Sequence, residues 1–577
     1  MAKIVLSAFA GEKPLIIPRL LPETAATEAV GVRLDDGGLT PINGSLATGE
    51  TVMADAHTIY RHQGQWLSWL TDVDAVPGPV AQDRLYFTGD GVPKVRISGT
   101  IYPLRVPRPT AALAATLGGA GSGETQTRTY AYTFVTSFGE ETAPSPAAPS
   151  VDWKPGQSVT LSGFAAAPAG RSITRQRIYR SQTGSSGTYL YLIAERAVSA
   201  ADFVDSVAVD AFREALPSAG WDEPKDTLSG ITSMPNGMMA AFVGRDVYFC
   251  EPWRPHAWPE KYVMTCDSDV VGLASIGGVL VVLTRANPYM MTGSHPDSIQ
   301  SVKLEANYPC INPRGIVDLG FAICYPSNDG LISVRASGEV SFVTEQLFRR
   351  DEWQALSPQT ALGAQHGNIY LMFYDTTEVT GERSAGALFI NVNAAPFLVR
   401  SGEVADALYF DVETSALFFK RPGDTNVYRF DDPAGFPEQY SWRSKEFWMP
   451  RPGTFGAILV DQGSIADAYD GTRIDAERDR IAAANAVIFA SGLLGSAVNE
   501  QCLNEMAIGG DTMLSMPPPM SASISVFADG KLIGTADKIG SVARLAAKNA
   551  RCWEIAVQSN IPIGSISLAT TVDELRG

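Results

Sequence analysis

The run MMAAFVGRDVYFCEP (238–252) places two short apolar stretches on either side of Gly244-Arg245-Asp246. Each stretch is too short for an ordinary helix, and Gly-Arg-Asp between them has the composition of a tight turn, so the run reads as a strand pair. The plan recurs in VLVVLTRANPYMMTG (279–293), FAICYPSNDGLISVRASGEVSFV (321–343), NIYLMFYD followed by GALFINVN (368–393), and ALYFDVETSALFFKRPGDTNVYRF (407–430). Asn328-Asp329-Gly330, Ser337-Gly338-Glu339 and Pro422-Gly423-Asp424 supply the turns. Comparable points fall at Ala241, Leu280, Ala322, Tyr370 and Leu408, at intervals of 39, 42, 48 and 38 residues. A period of about 40–50 residues with up to four strands is the spacing of a β-propeller blade. No helical pattern lies between the strands, which sets aside a parallel α/β fold, and a sandwich would not keep this period over five units.

Working upstream, HTIYRHQGQWLSWL (57–70) and RLYFTGDGVPKVR (84–96) add one more unit. The expectation is an all-β chain with a six-bladed β-propeller built from residues 43–109 and 217–432. Residues 110–216 interrupt it. LGGAGSGE (117–124) has a linker composition, and TRTYAYTFVTSFGEETAPSPAAP (127–149), QSVTLSGF (157–164), RQRIYRSQTG (175–184) and TYLYLIAERA (188–197) follow as strands of period two. They predict an inserted β-sandwich standing as an independent lobe, and they resemble fibronectin type III-like modules. Residues 433–577 read as a C-terminal β domain carrying a short helical insertion, DAERDRIAAANAVIF (475–489), with Asp475 capping its start. Residues 1–42, rich in Pro and small residues, read as an extended arm that adds strands by edge pairing.

Composition narrows function. The chain of 577 residues carries 45 Lys and Arg against 62 Asp and Glu, a net charge of −17. That argues against a general nucleic-acid binder, which needs a basic face to displace counterions. It also argues against an anionic lipid surface as partner. The six cysteines (Cys250, Cys266, Cys310, Cys324, Cys502, Cys552) are too few and scattered for a disulfide framework. Reduced, buried thiols are expected. The first ten residues lack a secretory h-region, and the longest apolar stretch, AVIFASGLLGSAV (486–498), is too short to span a bilayer.

Signals of chemistry are weak. His57, His62, His256, His295 and His366 form no close ligand pair with a carboxylate, and a metal site is not expected. Ser275 in GLASIGG is no nucleophile elbow, and the Gly-rich run 118–123 lacks the Lys-Ser/Thr of a phosphate loop. Asp267 and Asp269 suggest the start of a calcium loop, but Gly278 stands where the bidentate Glu belongs. SNDGLISV (327–334) reads as a hairpin turn. Trp253 and Trp258, among Pro252, Pro255 and Pro259, offer either a sugar-stacking surface or a rigid connection between blades. No catalytic, cofactor-binding or metal-binding residue is assigned, no cofactor is expected, and the chain does not read as an enzyme.

The N-terminal stretch PRLLPETAATEAVGVRLDDGGLTPI (18–42) resembles the opening of tail nozzle, or tail hub, proteins of short-tailed bacteriophages. Matching positions are Pro18, Leu20, Leu21, Pro22, Ala25, Ala26, Ala29, Arg33, Leu34, Gly38, Leu39 and Pro41. Further patches are VYFCEPWRPHAWPEKY (247–262), VVGLASIGGVLVVLTRANPYMMTGSHPD (270–297), CYPSNDGLISV with TEQLFRRDEW (324–353), and ARLAAKNARCWEIAVQSNIPIGSISLATTVDEL (543–575). The resemblance implies a virion structural protein, assembled in the bacterial host cytoplasm and residing in the tail. It implies a homo-hexamer below the portal and the tail adaptor, with tail fibres or spikes on its flanks. Double-stranded DNA would pass through the ring without sequence-specific binding, and no membrane insertion is implied. The alternative is a carbohydrate-binding or carbohydrate-active propeller of a phage tail acting in host recognition.

Overall fold

The computed structural model describes residues 3–575 apart from 185–186, 212, 377–383, 394, 463–470, 491–513 and 515. The described residues are mostly β-strand, with two α-helices at Arg350–Gln354 and Gly471–Ala490. The chain divides into two compact units, Asp55–Ser341 and Met1–Ala54 together with Phe342–Gly577. These cut across the expected segments, because the insert belongs to the first unit and residues 217–432 are shared between both.

In unit Asp55–Ser341 the repeated strand pairs become four-stranded antiparallel meanders. They run Asp74–Pro77 to Thr100–Pro103, Ser229–Ser233 to Met264–Thr265, Val270–Ile276 to Gln300–Lys303, and Val317–Asp318 to Val340–Phe342. The first strands of the four lie side by side in chain order. Alternation explains why middle strands such as Met239–Val243 and Val279–Thr284 are apolar on both faces. Met239 and Ala241 point one way, into a core with Tyr86, Val95, Ile97 and Trp258, whereas Ala240 points the other way, toward Leu280, Val282 and Met291. The middle strands of the meanders are thus buried on both faces, whereas outer strands such as Thr100–Pro103 and Gln300–Lys303 stay largely exposed. Residues 57–70, expected to be half of a blade, form the separate hairpin Thr58–His62 and Gln65–Trp69, and the first meander begins at Asp74.

The insert forms sheets Ala114–Gly118/Ser158–Ser162/Phe203–Asp205, Gln126–Arg128/Val151–Trp153 and Tyr130–Thr136/Ile173–Gly184/Gly187–Ala197. They share one core of Tyr130, Tyr132, Phe134, Val159, Leu161 and Ile178. Arg180 is buried against Asp205, 3.0 Å away, and the Arg128 guanidinium lies 3.4 Å from the Trp153 ring centre.

The other unit holds two further meanders, Leu362–His366 to Leu398–Ser401 and Ala407–Asp411 to Asn426–Arg429. The fourth strand of the latter is Leu46–Thr51, drawn from upstream of the first meander. The N-terminal residues are woven in more deeply than an edge-pairing arm. Ala26–Val30 is an interior strand, parallel to Leu398–Ser401 and antiparallel to Tyr440–Ser444, and it joins a meander to the C-terminal strands in one sheet. Its small residues Ala26 and Ala29 are buried against Trp442 and Phe9. Lys3–Leu6 pairs with Ser565–Ala569. Helix Gly471–Ala490 starts four residues before Asp475, so Asp475 sits inside it rather than capping it. Ile474 and Ile481 bury one stripe, and Arg473 donates to the carbonyls of Ala434 and Gly435, 3.0 Å each.

Candidate functional site

The chemistry-bearing side chains noted in the sequence do not converge. His57 is exposed and 3.9 Å from Asp72. His62 is buried, with Nδ1 2.9 Å from an Arg96 nitrogen. Nδ1 of His295 accepts from the Asp297 amide and caps a short turn. His366 lies 3.3 Å from Asp431, which also accepts from Arg33 and from the Asn43 amide, 2.8 Å each. Burial alone would raise the Asp431 carboxyl, but the His366 hydrogen bond and the Arg33 charge outweigh it and hold it below its ordinary value. Asp267 is engaged by Lys303 at 2.6 Å. Ser275 sits within strand Val270–Ile276 opposite Leu280, and Asn328-Asp329-Gly330 is a hairpin turn closed by Ser327 and Gly330. Cys250, Cys266, Cys310, Cys324 and Cys552 are free and buried, while Cys502 lies outside the described residues.

Among the described residues one group carries metal-type donors within 4.8 Å of one another: Glu446, Cys552 and Glu554. Its carboxylates are already occupied, Glu554 by Arg443 at 2.9 Å and Glu446 by the Trp448 indole at 2.7 Å. Burial, reinforced by both carboxylates, pushes the Cys552 thiol up to about 11, so it stays protonated at neutral pH.

A buried polar group lies where the insert meets the meanders. Residues 136–145 of the insert turn back and bury Glu140 and Glu141. Glu140 accepts from Arg171 at 2.8 Å and from the Thr136 hydroxyl at 3.0 Å, and faces Arg84 of the first meander at 3.8 Å. The His256 Nε2–H donates to the Glu141 carbonyl at 2.9 Å, which fixes the tautomer with its proton on Nε2. Burial pushes the His256 imidazole down to about 4 and the nearby Tyr86 phenol up to about 12. Phe138 meets Tyr102 edge-on at 5.5 Å. The two ends of the insert are also stapled: Glu223 accepts from the Arg108 amide at 2.8 Å and pairs with Arg105. The insert is therefore seated in the unit by charge and aromatic contact, not hung from it as a free lobe.

The proline–tryptophan loop is the socket for that seat. Trp258 is 1% exposed and donates to the Pro255 carbonyl at 2.7 Å, so it offers no stacking face. Trp253 is half exposed at a positive φ of 61°, with its ring lying over Gly237, where a Cβ would meet it at 2.5 Å. The rigid-connection reading of 251–262 describes this geometry. Arg84, Glu140 and Arg171 escaped sequence reading because each pairs with a partner tens of residues away.

No protein-family model matches the chain, and no curated protein matches it. Solved structures similar to it include the extracellular domain of a protein assigned as a hybrid two-component system from B. thetaiotaomicron. Identity there is 10% and the TM-score 0.25, over 68% of this chain and 43% of that one. Another is the extracellular domain of a one-component system from the same organism, at 11% identity and a TM-score of 0.22, over 72% of this chain and 57% of that one. The chain thus spans about half the length of these structures. Likeness at these scores carries no argument about function.

Proposed function

We propose that this chain is a structural virion protein, the subunit of a tail nozzle or hub ring of a short-tailed bacteriophage. Its meanders close as a six-bladed β-propeller, with a fibronectin III-like insert and a C-terminal β domain as accessory parts. The observation that carries the propeller is the sixth meander, whose fourth strand, Leu46–Thr51, comes from before the first. A strand shared between the two ends of the array is how a ring of blades closes without an open edge. The resemblance of residues 18–42 carries the nozzle role. Within it Leu21, Ala25, Ala26, Ala29, Leu34 and Leu39 are buried, and Arg33 holds Asp431.

Six copies form the ring below the portal and adaptor, fibres or spikes attach outside it, and no catalytic step is assigned. With −17 per chain, the ring repels duplex DNA over roughly a Debye length, about 8 Å at physiological salt, so DNA slides instead of sticking. Mass photometry with a duplex-DNA titration tests this. The expected result is a species of six 61.7 kDa chains, with or without adaptor as template, and duplex binding too weak to saturate. A species that stays monomeric or trimeric with adaptor present, or tight duplex binding with a steep salt dependence, overturns it.

A further inference from the structure

The loop KPLIIPRLLP (13–22) leaves Ile17 60% and Leu20 68% exposed. It is nonetheless stiff. Pro14, Pro18 and Pro22 fix three of its φ angles, and Pro18–Leu20 is a 3₁₀ turn in which the Leu20 amide donates to the Ile17 carbonyl at 2.9 Å. Leu21 is buried at the base, where its carbonyl accepts from Lys445 Nζ at 2.5 Å. Beside the tip the Arg19 guanidinium lies 5.2 Å from the ring centre of Trp448. Trp448 is itself half exposed and held by its indole N–H on Glu446 at 2.7 Å. A rigid aliphatic tip flanked by Trp and Arg has the composition of an interface anchor, and its stiffness lowers the entropic cost of docking. In a chain of net charge −17 these ten residues carry Lys13 and Arg19 and no acid, so the tip suits an acidic partner surface.

A second copy of the chain offers such a surface. In unit Asp55–Ser341, Val92, Pro93, Pro103, Pro107, Ala169 and Pro224 wall a cavity of about 200 Å³. Of the charged groups on its lining, Arg171 is turned to Glu140, and Arg105 is drawn to Glu223 at 2.5 Å with Asp226 3.7 Å away. One cation thus faces two carboxylates at the rim, and half-exposed Asp226 is the outward one. A cavity of about 150 Å³ accepts a six-carbon ring, so this one has room for a leucine side chain. Resting on the ring reading above, we propose that Leu20 of one copy seats in the proline-walled cavity of the next, with Arg19 against Asp226. The two surfaces differ, so copies join head to tail, and a head-to-tail contact that closes on itself makes a ring.

The test mixes full-length Leu20→Cys with full-length Ala169→Cys, adaptor present, and treats them with a short bismaleimide. Both positions are exposed, so each variant should keep the wild-type melting temperature. The expected result is a covalent dimer in the mixture well above that from either variant alone or from the wild type. The double variant Leu20→Cys/Ala169→Cys should give a ladder of linked chains. A ladder ending at six supports both the contact and the ring, whereas one ending at another number supports the contact and overturns the six-membered ring. Leu20→Asp should weaken association about tenfold or more with the melting temperature unchanged. Arg19→Glu should weaken it too, and Asp226→Arg in the same chain should restore it. No excess of dimer in the mixture over the single variants, or wild-type assembly of Leu20→Asp, overturns the proposal. Six-chain rings that form under either of those outcomes leave the nozzle reading standing without this contact.

Discussion

The N-terminal residues and the insert are held in opposite ways. The N-terminal residues 3–51 enter through the backbone: Ala26–Val30 is an inner strand of the ten-stranded sheet, and Leu46–Thr51 completes a meander. The insert enters through side chains: Glu140, Arg171, Arg84, His256 and Phe138 seat it, while its own strands pair only among themselves. The first region is thus inseparable from its unit, whereas the second has a core of its own and rests on a polar seam. Backbone pairing leaves two unsatisfied strand edges when it is removed, and side-chain seating leaves a surface with a few exposed charges.

The largest contrast comes from deletion. Removing residues 1–42 strips the partner from Leu398–Ser401 and Tyr440–Ser444 and takes Phe9, Ala26, Ala29, Leu34 and Leu39 from one core. The remainder should lose cooperative unfolding by calorimetry and precipitate. Replacing residues 110–216 with a short Gly/Ser linker should instead leave a cooperative, though less stable, transition, because Arg105 and Arg108 already hold the far end at Glu223. Equal behaviour of the two deletions would erase the distinction.

Next in size is the seam itself. Arg171→Met leaves Glu140 buried without its closest cation and should cost about 3–5 kcal/mol in denaturant unfolding, whereas Arg171→Met with Glu140→Met should recover much of that. Additive losses in the double variant would mean that the two groups do not act as a pair.

Much of the array was legible in the sequence for the same reason that the seam was not. Hairpins such as 238–252 announce themselves through a turn and two flanking strands, all local in sequence. The pairing of Glu140 with Arg171 and Arg84 crosses 31 and 56 positions and leaves no periodic trace. The N-terminal strand was misjudged because Ala26 and Ala29 look like linker residues, yet small side chains are what let a strand pack beneath Trp442 and Phe9. The hairpin 58–69 has the pattern of a blade half, and only its lack of a third strand separates it.

A smaller effect follows from His256. Its imidazole is held at about 4 by burial, against about 6.5 when unfolded, and faces Glu140, Arg171 and Arg254. The unfolded chain therefore binds the proton more readily. The stability that His256 contributes is fully present above about pH 6.5 and is lost as pH falls toward 4, about 3 kcal/mol in all. His256→Gln should flatten unfolding free energy against pH in that window, and an unchanged slope would show that His256 is not the group titrating. Asp431, with its carboxyl held below the ordinary value, loses its contribution only at lower pH, as it protonates below about 4. The smallest effect separates the two tryptophans of the socket. Trp258→Ala should cost about 3–5 kcal/mol, and half-exposed Trp253→Ala about 1 kcal/mol or less, by the same unfolding measurement.

In the proposed assembly the meanders close into a propeller and copies of this chain form a six-membered ring around a DNA passage. Electron microscopy of the purified protein bound to its tail adaptor tests this most directly. The expected result is class averages with six-fold symmetry, one propeller per subunit and an open axial channel wide enough for duplex DNA. Averages showing isolated monomers, three-fold particles or an occluded axis would contradict it.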